Sequence, residues 1–177
     1  MSHGGSMGSI DRFFLFFVSM LFLSFALSFG RGVEAAEVRL TVFNKIMNST
    51  NISMSGASQR QMGDGFAAHM KVYRTPDVDQ VPVATADFSL LITDPATPSK
   101  PLETRLYHAV FTFNPADSIV VDGISIADMP DNWMNTTPSA RAVTGGTGKY
   151  KGAKGTAIFT RIAQNLFKMD LRFKTTE

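Results

Sequence analysis

The sequence predicts an all-β protein: an eight-stranded antiparallel up-and-down β-barrel preceded by an N-terminal signal helix. Three observations carry this. From Glu37 to Lys174 apolar side chains recur with a period of two. No stretch of that region sustains a 3.6-residue apolar stripe for more than two turns. Turn residues rich in Gly, Pro, Asn and Asp punctuate the alternation at short intervals, giving seven or eight strands. Such a set forms either a β-sandwich or a barrel. The barrel is favoured because closure leaves no edge strand and an eight-stranded lumen holds one small apolar ligand.

The elements follow in order. Glu37–Phe43 places Val38, Leu40 and Val42 on one face, and the polar stretch 44–64 reads as a loop. Phe66, Ala68, Met70 and Val72 alternate with His69, Lys71 and Tyr73. Ala84, Ala86, Phe88, Leu90 and Ile92 alternate with Thr85, Asp87, Ser89 and Thr93. After a Pro-rich break at 94–101, Leu102–Phe113 sets Tyr107, Ala109, Phe111 and Phe113 on one side. Ser118–Ala127 carries Val120, Ile124 and Ile126 in phase, and 129–139 reads as a loop. A strand leads into the Gly-rich segment, Thr156–Ile162 leaves it, and Leu166–Lys174 closes the set with Phe167, Met169, Leu171 and Phe173 inward.

Composition narrows function by exclusion. The 177 residues are 44% hydrophobic, which is incompatible with disorder, and the absence of cysteine removes disulfides, Cys-ligated metals and a thiol nucleophile. The formal charge of +2 is too balanced to imply a nucleic-acid partner. Seven of the fifteen Phe fall between Phe13 and Phe29, in an uncharged run broken only by Ser19, Ser24 and Ser28. With Val33-Glu34-Ala35 after it, this run predicts a secretory signal cleaved after Ala35. An uncleaved anchor and a buried helix are the other readings. Residues 1–35 are thus leader and signal, and 36–177 the barrel domain, destined for the extracellular space. Sequons at Asn48, Asn51 and Asn135 suit that route.

Arg141–Gly155, RAVTGGTGKYKGAKG, holds Gly145, Gly146, Gly148, Gly152 and Gly155. A Walker A loop fails because Tyr150 follows Gly148-Lys149 and position 143 is Val. The dinucleotide fingerprint fails because Lys151 stands where its third Gly is needed and a strand follows. The five glycines instead read as one structural hairpin, supplying a tight turn and close backbone approach.

Here the residues carry a resemblance. AVTGGTGKYKGAKGTA resembles the signature of plant dirigent proteins, and HAVFTFNPADSIVVDGISI resembles the same family's preceding hairpin. The likeness is close over Tyr107–Phe173 and loose over Glu37–Leu106. Allene oxide cyclases share the barrel and a similar hairpin. The resemblance implies an extracellular homodimer or homotrimer with no cofactor. It implies a pocket that binds phenoxy radicals or quinone methides and directs their coupling or cyclisation, the radicals coming from a laccase or peroxidase. It assigns an aspartate to Asp128 and an arginine to Arg141, while Ile158 stands where the family has threonine. A fatty-acid-epoxide isomerase and a non-catalytic binding barrel are the alternatives.

Individual residues complete the candidates. Asp87, flanked by Ala86 and Phe88, is a proton-transfer group if it faces the lumen. Tyr107, His108, Phe111 and Trp133 are the candidate ligand contacts. Two isolated histidines, His69 and His108, without clustered carboxylates make no metal site.

Overall fold

The computed structural model describes residues 35–54, 56, 60–128 and 138–176, with Asp128 described for its backbone alone. The hydrophobic run, Trp133 and Asn135 lie outside these residues. Eight strands form: β1 (Glu37–Ile52), β2 (Gly65–Tyr73), β3 (Ala84–Asp94), β4 (Leu102–Thr112), β5 (Ser118–Asp128), β6 (Ser139–Thr147), β7 (Lys154–Ala163) and β8 (Leu166–Lys174). Each pairs antiparallel with the next, and β8 pairs with β1, so the sheet closes into an up-and-down barrel. The lumen is filled from every strand by side chains such as Val42, Met70, Phe88, Phe111, Val121, Val143, Phe159 and Leu171, all buried.

Three expectations change. β1 runs through the polar stretch to Ile52, because Asn48–Ile52 pairs with Gly65–His69 after a bulge next to Ile46. Asn48 and Asn51 are therefore exposed strand residues rather than loop residues. In β5 the phase is the reverse of that expected. Ile119, Val121, Ser125 and Ala127 are buried, while Ile124 and Ile126 are exposed. The cause is β4. Directly paired residues point to the same side of a sheet, and Phe111, Ala109 and Arg105 pair with Ile119, Val121 and Ser125. The inward side chains of β4 thus fix the inward face of β5.

The third change concerns the glycines, which do not form one uniform hairpin. Gly145 and Gly146 are residues of β6 that pair with Val120 and Ile119 of β5, beyond the last β6–β7 pair, Val143 with Gly155. At Gly146 a Cβ would stand 2.5 Å from the Tyr150 carbonyl oxygen and 2.6 Å from that of Ser118, so its role is close backbone approach to β5. Gly152 lies in the turn before β7 with φ +69°, and a Cβ there would run into the Thr176 side chain. That turn bonds the residues that follow β8, since the Thr176 N–H donates to the Lys151 carbonyl at 3.1 Å. Gly145 meets nothing within 4 Å and has no positive φ, so neither close approach nor the left-handed region calls for glycine there.

Strand direction assigns the two mouths of the barrel. The β6–β7 connection and the β4–β5 turn share one mouth, and they are bonded to each other. Asp117 Oδ1 accepts from the Lys149 backbone N–H at 3.1 Å, and the Thr147 hydroxyl donates to the Ala116 carbonyl at 2.7 Å. Gly148 (φ +55°) lies against this turn so closely that a Cβ would sit 2.7 Å from the Ala116 oxygen. Glycine is required there on two counts, the positive φ and the contact. The opposite mouth collects the start of β4, the end of β5 and the start of β6.

Three carboxylates bond in ways that favour their charged form. The Asn114 amide and the Lys149 N–H hold Asp117 below the usual range. Burial pushes Asp122 up, but bonds from Thr144 and His108 outweigh it and leave it lowered. Asp170 is lowered on balance in the same way, with Lys168 and Thr41 outweighing its burial. A depressed folded pKa stabilises above the unfolded value of about 3.9 and is lost as pH falls through the folded value. The Tm is therefore expected to hold from pH 7 to about 4.5 and to fall steadily below about pH 4. A scan between pH 7 and 2 checks this, and a flat profile would contradict it.

Candidate functional site

The second mouth is where the lumen stops being apolar. An aromatic belt runs through the interior from five strands. Phe66 meets Phe88 at 5.6 Å between centroids, Phe88 meets Tyr107 at 5.9 Å, Tyr107 meets Phe159 at 5.9 Å and Phe159 meets Phe167 at 5.2 Å. Arg141 of β6 lies on this belt, its guanidinium carbon 4.1 Å from the Tyr107 centroid and 4.7 Å from that of Phe159. It is 6% exposed.

Gly123 makes this placement possible. On β5, between Tyr107 and Arg141, it contributes no side chain, and a Cβ there would stand 3.1 Å from Arg141 Cγ and 3.2 Å from its Cβ. The arginine stem crosses β5 through that gap and reaches the rings of its neighbours. Cation–π contact with two rings stabilises the guanidinium. Even so, Nε and Nη1 of Arg141 and the Tyr107 hydroxyl make no hydrogen bond. Burial lowers the Arg141 pKa from its ordinary value, partly offset by Tyr107. Burial also raises Tyr107 far above the usual phenol range, so its hydroxyl is a proton-bearing donor at any physiological pH.

Below the mouth, β4 turns two more charged side chains inward. Glu103 and Arg105 are fully buried, and Arg105 Nε donates to Glu103 Oε1. Arg60 Nη1 lies 3.7 Å from the same oxygen. Asp64, 5% exposed, accepts backbone N–H groups of Met54 and Gln61, both at 2.8 Å, and ties down the β1–β2 connection. Ser125 and Asn44 are also buried.

Of the expected contacts, Tyr107, Phe111 and Arg141 face the lumen, and Tyr107 and Arg141 meet. Asp87 and His108 do not join them. Both alternate with inward residues and point outward, Asp87 bonded to His69 Nδ1 at 2.7 Å and His108 Nδ1 to Asp122 at 2.6 Å. His108 instead lines an outer groove of about 400 Å³ with Ser89, Leu91, Leu106, Asp122 and Ile124. Gly145, Gly146, Gly148 and Gly152 lie toward or at the other mouth, while Gly155 of β7 pairs with Val143, two residues along β6 from Arg141. Glu103, Arg105, Ser125, Asn44 and Gly123 are additions that the sequence reading does not contain. Carrying the Tyr107–Phe111 alternation back two and four residues finds Arg105 and Glu103.

Arg141→Met is expected to raise stability by about 1–3 kcal/mol, because it removes a buried charge with unsatisfied donors. Denaturant unfolding measures this, and a loss of about 1 kcal/mol or more would show that the ring contacts outweigh the burial cost.

The fold is a closed eight-stranded up-and-down barrel, a fold that solved dirigent proteins and barrel cyclases share. No family model matches the chain, and no curated protein does. Solved structures do. The pterocarpan synthase dirigent protein GePTS1 superposes with a TM-score of 0.60 at 13% identity, over 81% of this chain and 93% of that one. The Diels–Alderase AbmU from Streptomyces koyangensis gives 0.58 at 14% identity, over 98% and 84%. A pyocyanin demethylase gives 0.58 at 20% identity, over 77% and 100%.

Proposed function

We propose that the protein is a secreted dirigent-like barrel that binds a phenolic radical or quinone methide in its lumen and directs its coupling or cyclisation. The observation that supports this most is the stack of Arg141 on Tyr107 and Phe159. It combines flat aromatic walls with hydrogen-bond donors that lack protein partners. Aromatic walls fix the plane of a ring, and the donors fix the oxygen at one end of it. A ligand held at both is presented to its coupling partner in one orientation, and positioning of that kind is worth several kcal/mol. The oxidation itself falls to a separate laccase or peroxidase, which takes one electron and one proton from each phenol; the two radicals then pair their odd electrons in the new bond with no further oxidant.

The inward Tyr107 and Arg141 favour this reading over a non-catalytic barrel. The buried Glu103, Arg105 and Arg141 disfavour an isomerase of a long apolar epoxide, which needs an apolar cavity throughout. Export and glycosylation belong to the same proposal, supported by the exposure of Asn48 and Asn51. So does homo-oligomer formation. Leu91, Leu106 and Ile124 pair across β3, β4 and β5 and stand 43%, 50% and 57% exposed on the outer face, an apolar row suited to a second copy. Sedimentation is expected to give a dimer or trimer.

The test is to supply the purified protein with a laccase and a panel of phenols and to resolve the products by chiral chromatography. An enantiomeric excess that disappears in Arg141→Met supports the proposal. Racemic products throughout would reject it.

A further inference from the structure

We infer, building on that reading of the lumen, that the ligand is an aromatic acid whose carboxylate is held by Arg141 and Tyr107. The charge balance at the mouth motivates this. Among the described residues Arg141 has no carboxylate partner, although it is a permanent cation at 6% exposure. Among the described residues, the two buried carboxylates are engaged elsewhere. Glu103 bonds Arg105 and faces Arg60, and Asp64 accepts the Met54 and Gln61 amides. A guanidinium buried against two rings is costly to keep without a counter-ion. Its retention, with Gly123 leaving room for its stem, fits a site completed by an anion from outside the chain.

The donor set selects the kind of anion. Nε and Nη1 of Arg141 only donate, and the Tyr107 hydroxyl adds a third donor while its oxygen can also accept, so the cluster offers more hydrogens than acceptors. A carboxylate is acceptor-only, with two oxygens and about four lone-pair sites, and matches such a cluster. A neutral alcohol brings a donor hydrogen of its own and satisfies less of it. The body of the ligand is set by the belt of Phe66, Phe88, Tyr107, Phe159 and Phe167, which suits a flat ring. A phenolic acid of the hydroxycinnamate type has both parts.

Calorimetric titration of the full mature protein at pH 7 with three probes tests this: 4-hydroxycinnamate, its methyl ester and decanoate. Charged hydrogen bonds of this type correspond to a preference on the order of tenfold to a hundredfold. The acid is expected to bind more tightly than the ester by that factor. In Arg141→Met the preference vanishes, and Arg141→Lys retains part of it; far-UV circular dichroism and the melting curve establish that each variant is folded. Equal binding of acid and ester, or an unchanged preference in folded Arg141→Met, overturns the carboxylate assignment and leaves the phenol pocket standing. Arg141-dependent binding of decanoate with no binding of either aromatic overturns the aromatic-acid assignment and the phenolic reading together. Binding of none of the three overturns both as well.

Discussion

Glu103→Ala is expected to destabilise the barrel by about 3–5 kcal/mol, the usual cost of removing one partner of a buried ion pair. That lowers Tm by roughly 10–15 °C for a domain of this size. Glu103 and Arg105 are both fully buried on the inner face of β4, and the carboxylate accepts the Arg105 Nε–H while facing Arg60. Deleting it removes the carboxylate that Arg105 Nε bonds, in a place water reaches poorly, and burial already lowers the Arg105 pKa. Two controls separate this cause from lost packing. Glu103→Gln keeps an acceptor without the charge and is expected to cost less than alanine. Replacing both residues together, Glu103→Leu with Arg105→Met, removes the charges in balance and is expected to restore most of the stability. Equilibrium unfolding in urea measures all three. A loss under about 1 kcal/mol for Glu103→Ala, or a double variant worse than the single, would show that the pair does not hold the mouth of the barrel.

That pair also marks the limit of what can be read from the chain alone. Alternation is a local signal, and it suffices for β8, where Phe167, Met169, Leu171 and Phe173 are apolar and all buried. It misleads in β5, whose two faces are nearly equally apolar. Ile119 and Val121 on one side compete with Val120, Ile124 and Ile126 on the other, and only pairing with β4 decides between them. The inward charges of β4 escape for a related reason. Polar residues in a strand ordinarily mark the solvent face, which hides Glu103 and Arg105 despite their sharing the phase of Tyr107. Asp87 and His108 draw attention as titratable groups in apolar strands. Their neighbours Ala86, Phe88, Tyr107 and Ala109 already occupy the lumen, and so a period of two sends both outward. The glycine segment shows the same limit. Its spacing announces a tight connection, but it does not separate Gly146 and Gly152, which lie against other backbone and side-chain atoms, from Gly145, which faces open space. The Tyr107–Arg141 contact cannot be read locally at all. It joins β4 to β6 across a strand that offers no side chain, and nothing in the spacing of either residue announces Gly123 between them.

The glycine segment that signals the fold is expected to respond very unevenly to substitution, which tests its structural reading. Gly155→Ala is expected to cost about 3 kcal/mol or more. Gly155 pairs with Val143 on one side and Phe173 on the other, and an added Cβ would stand 2.5 Å from Phe173 Cα and press on the Arg172 carbonyl. These obstacles are backbone atoms of β8, which is itself bonded to β1 around the closed ring. An open sheet relieves such a clash by splaying an edge strand; a closed barrel shifts β8 only by straining its pairing with β1. Gly145→Ala, in the same segment, meets nothing within 4 Å and is expected to change stability by less than about 0.5 kcal/mol. The Arg141 site lies at the other mouth, so Gly145→Ala should leave ligand affinity unchanged. Gly155→Ala should lower the denaturation midpoint while the fraction still folded binds normally. Equal tolerance at both positions would mean that the close approach of β7 to β8 is not what the glycines serve. A loss of affinity in stable Gly145→Ala would bring the glycine segment into the binding site, contrary to the placement of the two mouths.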